Sequence, residues 1–337
     1  MPFSKGILPG ALPFAFKACY NDKKRKDVCM IDILLATFNG GRFLREQLDS
    51  LLRQTEQDFR VLIQDDGSKD ETPEILQNYA DAHSGKITLV SGKAHEKSPK
   101  GNFTSLLCES TSDYVMFSDQ DDVWDEDKIA LTLLAMREGE KKYGAACPLL
   151  VHTDLRVSDM ELKLIAHSFW RYQKLDGNPK LSRVLAQNSI TGCTMMVNRA
   201  LAGLVLKASA EDMLMHDWWA ALCAASMGHI LKVDRPTISY RQHGKNQLGA
   251  TGVDVVRDVK KAAGNEAAMK RRLSDTFRQA ESFLNCYKDV LPAEDAKTLR
   301  RYAALPQKGK AGRTYSLIRY GHLKKGFFRC LGQLYYC

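Results

Sequence analysis

The chain has 337 residues, 44% hydrophobic and 26% charged, a composition that excludes disordered, collagen-like and low-complexity proteins. No apolar run reaches the roughly 18 residues that a membrane-crossing helix needs. The net charge of +9 is unevenly placed: residues 1–29 hold 6 basic and 2 acidic side chains, residues 257–337 hold 18 and 7, and residues 30–256 hold 25 and 31. An acidic body with two basic ends suits metal-binding carboxylates better than a nucleic-acid surface.

Residues 1–29 contain the apolar stretch GILPGALPFAF followed by Lys23, Lys24, Arg25 and Lys26. A secretory signal has the opposite order, so the segment is read as an unstructured lead-in. From Met30 onward strands and helices alternate. Ile31 to Ala36 is a continuous apolar run, as expected of a strand buried on both faces. Asn39-Gly40-Gly41 breaks it, and Leu44, Leu48, Leu51 and Leu52 then fall at helical spacing. Phe59 to Gln64 is a second strand, closed by Asp65-Asp66-Gly67-Ser68. Asp70 or Thr72 can cap the next helix, with Pro73 in its first turn. Lys86 to Ser91 and Asp113 to Ser118 are two more strands, with a helix between them. This βαβ series predicts a mostly parallel sheet with helices on both faces. Beyond residue 122 the pattern loosens: strands are expected over 149–155, 190–197, 229–233 and 237–241, and a helix over 216–227. From about residue 255 the chain reads as helical and basic.

Nine cysteines, with no C-x-x-C pair and no zinc-spaced cluster, point to a reducing compartment without disulfides. Cys108 in SLLCES and Cys223 in AALCAA read as small buried hydrophobes.

In such sheets ligands bind beyond the carboxyl ends of the strands, and polar clusters stand at three of those ends. They are Thr37-Phe38-Asn39, Asp65-Asp66-Gly67-Ser68 and Asp119-Gln120-Asp121-Asp122. Crowded carboxylates repel, and Mg²⁺ or Mn²⁺ relieves the repulsion; the alternative is a solvated acidic turn. Asp65-Asp66 reads either as turn chemistry or as acceptors for a base or ribose. In His216-Asp217-Trp218-Trp219, an Asp beside two indoles stays basic enough to take a proton, or caps a helix whose tryptophans are core. Tyr240 to Gln247 gathers Arg241, His243 and Lys245 in one loop, a set suited to a diphosphate, with His243 as a further metal ligand. Rossmann dinucleotide, P-loop and G-x-S-x-G motifs are absent.

Together the strings IDILLATFNGGRFLREQLDSLLRQT, VLIQDDGSKDET, YVMFSDQDDVWDEDK, HDWWAAL and YRQHGKNQLG resemble family 2 glycosyltransferases. Within that family they look like the rhamnosyltransferase-like enzymes of bacterial O-antigen and capsule synthesis. The resemblance covers about residues 30–250. It implies an α/β GT-A fold, a Rossmann-like, mostly parallel sheet flanked by helices, over 30–255, with a basic helical region over 256–337. It further implies that Thr37 and Asp66 bind the nucleotide base, with Asn39 in the same donor set and Asp65 and Asp119 close to base and ribose. Asp121, with His243, would hold Mg²⁺ or Mn²⁺ across the diphosphate of a dTDP- or UDP-sugar. Asp217 would be the general base, and Arg241 or Lys245 would steady the departing diphosphate. The acceptor implied is a lipid-linked saccharide, reached by a cytoplasmic enzyme that can sit on the inner face of the plasma membrane. One departure is Phe38, where many members have Tyr.

Two rival readings remain testable. A protein binding nucleic acid or an anionic surface would show salt-dependent DNA binding without nucleotide-sugar turnover, although the rim of strand ends is acidic and no aromatic-basic motif is organised for it. A Mg²⁺-dependent phosphotransfer enzyme would lack metal-dependent nucleotide-sugar binding. Ile190-Thr191-Gly192-Cys193 either lines the acceptor side or is a buried strand. Near the C-terminus Phe327, Leu331, Leu334 and Tyr335 share helical spacing among Lys324, Lys325 and Arg329. That segment is either a membrane-surface helix or one packed back on the domain.

Overall fold

The computed structural model of the protein describes residues 30–91, 98–243 and 266–337. The lead-in expected over 1–29, and Lys245 of the basic loop, lie outside the described residues.

The expected alternation opens the fold: β1 (Ile31–Thr37), α1 (Gly41–Leu52), β2 (Phe59–Asp65), α2 (Thr72–Ala82), β3 (Ile87–Leu89), α3 (Pro99–Glu109) and β4 (Tyr114–Ser118). The four strands are parallel, in the order β3-β2-β1-β4. Strand alternation sends Ile31, Ile33 and Leu35 into the core on one face and Leu34 into the core on the other, so both faces are covered. Asp32 interrupts the run, fully buried, accepting from Arg60 Nε at 2.6 Å and Ser110 Oγ at 2.7 Å. Burial alone would raise its pKa, but Arg60 and Ser110 hold it below the ordinary value.

Next come β5 (Val123–Trp124), α4 (Lys128–Tyr143), β6 (Leu149–Ser158), β7 (Leu164–Ala166), α5 (Phe169–Tyr172), α6 (Leu181–Val184), β8 (Met195–Asn198), α7 (Arg199–Val205), α8 (His216–Met227) and β9 (His229–Arg241). The sheet continues β4-β8-β6-β9-β5, and β8 runs antiparallel to both of its neighbours. Three sequence expectations change here. The strand expected from residue 190 starts only at Met195, because Gly192–Thr194 winds into a 3₁₀ turn. The two strands expected over 229–233 and 237–241 are one, with Pro236 accommodated where the register against β6 shifts. Cys108 is exposed, because Leu106 and Leu107 take the buried side of α3 and the next position turns away from it; Cys223 is buried as expected.

The C-terminal helices are α9 (Glu266–Tyr287), α10 (Ala293–Ala303), α11 (Lys310–Arg319) and α12 (Phe327–Tyr336). Their apolar residues share one core with the sheet. Phe277, Ala280, Phe283 and Tyr287 of α9 join Trp219 and Cys223 of α8, together with Leu34 and Val115 from the strands. Trp219 Nε1 donates to the Tyr287 hydroxyl at 2.9 Å, and that hydroxyl donates to the Leu204 carbonyl at 2.7 Å.

Candidate active site

Register brings the three polar strand ends level. Thr37 pairs with Asp65, and Leu35 pairs with Ser118, so Gln120 stands two residues on, beside the end of β1. Its side-chain amide brackets Phe38, accepting from the Phe38 N–H at 2.9 Å and donating to the Phe38 carbonyl at 3.1 Å. A Cβ on Gly40 would come within 2.2 Å of Gln120 Oε1, so any side chain there would push the Gln120 amide off Phe38. Asp65 organises the next turn: its carboxylate accepts from Thr37 Oγ1 at 2.9 Å, from the Gly67 N–H at 3.1 Å and from the Ser68 N–H at 2.8 Å. The Asp66 N–H donates to the Thr37 carbonyl at 2.9 Å. Asn39 sits at φ +48°, in the left-handed region that Asn tolerates, and its Oδ1 accepts from the Lys69 N–H at 2.9 Å. Thr72 accepts from the Gly40 N–H and Asp70 from the Gly41 N–H, which ties the start of α1 to α2.

The acidic loop after β4 meets the end of β9. His243 Nε2 lies 2.5 Å from Asp121 Oδ2, and the imidazole stacks on Phe43 at 5.3 Å. Arg241, 2% exposed, donates through Nε to the Asp121 carbonyl at 2.9 Å, through Nη1 to the Met160 carbonyl, and through Nη2 to Glu46 Oε2 at 2.5 Å. Its guanidinium is thus engaged in holding the loop from beneath. Deeper still, donor atoms of Asp119, Asp122 and Cys193 lie within 4.8 Å of one another. Burial, with the charges of Asp121 and Asp217, pushes Asp119 up to about 7. Burial, with Asp121 and Asp119, raises Asp122 well above the carboxylate range. Lys128 is fully buried 4.3 Å above the Trp124 ring, and desolvation draws its pKa down to about 7.

Asp217 lies in the first turn of α8, where it accepts from the Gly192 N–H at 3.1 Å and from the Trp218 N–H at 2.6 Å. It is 6% exposed, and burial raises its pKa to about 6. The 3₁₀ turn therefore touches both halves of the site: Gly192 holds Asp217, while Cys193 stands among Asp119 and Asp122. The rest of the HDWW string is packing. His216 lies between Phe103 at 4.2 Å and Phe117 at 5.0 Å, with burial lowering its basicity to about 3. Trp218 Nε1 donates to the Val184 carbonyl at 2.6 Å, and Trp219 is fully buried.

The fold thus gathers Thr37, Asn39, Asp65 and Asp66 on one rim, pairs Asp121 with His243, and sets Asp217 close enough to Asp119 to raise its pKa. Sequence reasoning missed Gln120, Glu46 and Lys128. Gln120 was only the middle letter of an acidic motif, and the Glu46–Arg241 pair spans 195 positions, beyond any local pattern.

The sequence profile of the family described as glycosyl transferase family 2 matches residues 32–201. A curated relative, the dTDP-rhamnosyl transferase RfbG of Shigella flexneri, is 26% identical over 220 residues, covering 64% of this chain and 74% of that protein. Among solved structures, S. aureus TarS 1–349 in complex with UDP-GlcNAc superposes with a TM-score of 0.54 at 14% identity, covering 86% of this chain and 80% of TarS 1–349. The mannosyltransferase PcManGT of Pyrobaculum calidifontis, in complex with GDP-Man and Mn²⁺, gives 0.51 at 18% identity, covering 87% and 73%. At these identities the structural likeness establishes the fold alone, which is GT-A.

Proposed function

The chain belongs to glycosyl transferase family 2, and from that premise we propose that it is an inverting, divalent-metal-dependent enzyme. It moves a sugar from a nucleotide-diphosphate donor to a hydroxyl of a growing, lipid-linked cell-surface polysaccharide, working at the cytoplasmic face of the membrane. The observation that carries this reading is a buried carboxylate, Asp217, held by two backbone N–H groups beside the donor-side carboxylates. The name of the Shigella relative supports rhamnose, carried on dTDP, as the donor sugar; a UDP-linked donor is the alternative.

Thr37, Asn39, Asp65 and Asp66 make the nucleoside end of the donor site, and Asp119 the ribose end. Asp121 Oδ2 and His243 Nε2 converge from opposite ends of the site, a carboxylate and imidazole set that fits Mn²⁺ or Mg²⁺. Asp122 is fully buried, whereas Asp121 and His243 each keep 14% of the side chain accessible, so theirs is the pair a diphosphate can reach. When bound there, the cation supplies charge neutralisation for the departing diphosphate. Arg241 keeps the Asp121 carbonyl in place, and Lys245 belongs to the same basic loop.

With its pKa raised to about 6, Asp217 is ionised at neutral pH and still basic enough to accept the proton of an acceptor hydroxyl. The freed oxygen attacks the anomeric carbon on the face opposite the diphosphate. The bond to the phosphate oxygen breaks with its electron pair, and configuration inverts. Calorimetric titration with dTDP- and UDP-sugars, with and without Mn²⁺, tests the reading. Metal-dependent binding of one donor is expected; binding of generic DNA with none of these donors would overturn it.

A further inference from the structure

We infer that the outer face of α12 is the surface by which the protein rests on an anionic lipid bilayer. The helix is docked by its inner side. Gln333 is buried, donating through Nε2 to the His322 carbonyl at 2.8 Å and accepting from the Lys324 N–H at 2.8 Å; Cys337 is buried, and Leu334 packs against the core. Leu334, which the sequence spacing grouped with Phe327, Leu331 and Tyr335, therefore belongs to the inner side. A helix docked on a soluble domain ordinarily carries polar residues on its other face. Here that face is Phe327, 68% exposed, Leu331, 48%, and Tyr335, 66%, at four-residue spacing, with Phe328, 44%, beside them. Membrane-surface and packed-back readings of this segment are thus compatible, because the helix has two apolar sides.

Charge selects the occupant. From Lys308 to Cys337 there are seven basic residues and no acidic one. Lys308, Lys310, Arg319 and Lys325 are exposed, and Lys310 Nζ lies 5.2 Å from the Tyr335 ring centroid. Adjacent α11 leaves Tyr315 and Ile318 exposed as well. Large apolar side chains, three of the four on α12 aromatic, flanked by these exposed cations, match the interfacial zone of a bilayer with anionic headgroups. The purpose, bringing the site to a lipid-linked acceptor, rests on the function proposed above; the binding itself does not.

The test is co-sedimentation of the full chain with mixed phosphatidylglycerol–phosphatidylcholine vesicles, against phosphatidylcholine alone. Binding is expected only to the anionic vesicles. Replacing Phe327 and Leu331 together by Ser should lower it by about tenfold or more. Replacing Lys310, Arg319 and Lys325 together by Gln should also lower it about tenfold or more, as should raised salt. All five side chains are exposed, so thermal melting should match the parent, and donor titration should be unchanged in both variants. Undiminished binding in the Phe327→Ser/Leu331→Ser variant overturns the inference while leaving the donor reading intact. So does failure to bind anionic vesicles, including the case where light scattering shows a dimer that the same double variant dissolves, which would make the face a self-association surface.

Discussion

Replacing Asp217 with Asn should separate turnover from stability in opposite directions. The native carboxyl is 6% exposed, and its pKa lies near 6 against an ordinary 3.8. A raised carboxyl pKa means that the folded state holds the proton more tightly than the unfolded one. Its favourable contribution is therefore present below about pH 4, fades as pH rises, and is gone above about pH 6. Two pKa units correspond to about 3 kcal/mol of destabilisation of the ionised form at pH 8. Asn carries no charge to desolvate, but it offers one acceptor oxygen where the carboxylate serves both Gly192 and Trp218. The N–H left over costs about 1–3 kcal/mol. At pH 8 the variant should thus be as stable as the parent or up to about 2 kcal/mol more stable, whereas at pH 4 the parent should have the advantage. Transfer of labelled sugar should fall by about 10²–10⁴, the usual contribution of a general base, and the parent's rise in rate through about pH 6 should vanish. Melting curves at both pH values, beside initial rates with saturating donor, measure these effects. Normal turnover in the variant would refute the base assignment. Lost turnover with a large fall in melting temperature at pH 8 would show that Asp217 matters to the fold instead.

Three further outcomes follow from the same geometry. Gly192→Ala would place a Cβ 2.9 Å from His216 Nε2, an atom wedged between Phe103 and Phe117; the displaced turn should lower turnover about 10–100-fold with donor affinity nearly unchanged, as read by calorimetry. Chelation should stop transfer and added Mn²⁺ restore it, and His243→Ala should raise the metal concentration for half-maximal rate about tenfold or more; a variant with the parent's metal dependence would exclude His243 as a ligand. Arg241→Gln strands the Asp121 and Met160 carbonyls at about 1–3 kcal/mol each, while its partner Glu46 is half-exposed and the ion pair itself adds little. Lower melting temperature together with weaker metal binding is expected, and a loss of rate with unchanged stability would point to direct contact with the diphosphate.

The parallel half of the fold was legible because each strand there is a short apolar run closed by a turn, a signal contained in six or seven adjacent residues. The acidic loop and Asp217 were legible for a similar reason, since carboxylates at a strand end or beside indoles are unusual within one window. The antiparallel insertion of β8 was not, because a strand's neighbours and their direction leave little trace in its own residues. The 3₁₀ turn at Gly192 escaped too, hidden in a stretch as apolar as a strand.

The amino-acid sequence by itself determined the alternating framework, the three polar strand ends and the acidic body with basic ends, all consequences of local composition and spacing. Only the tertiary structure decided that Gly192 orients Asp217 while Cys193 stands beside Asp119 and Asp122, that Arg241 braces the acidic loop against Glu46, and that α12 keeps an apolar face turned outward after docking by the other. Those outcomes depend on burial and on contacts between residues far apart in the chain. Desolvation, which moves Asp217 to about 6 and Asp119 to about 7, exists only once the chain has closed around them.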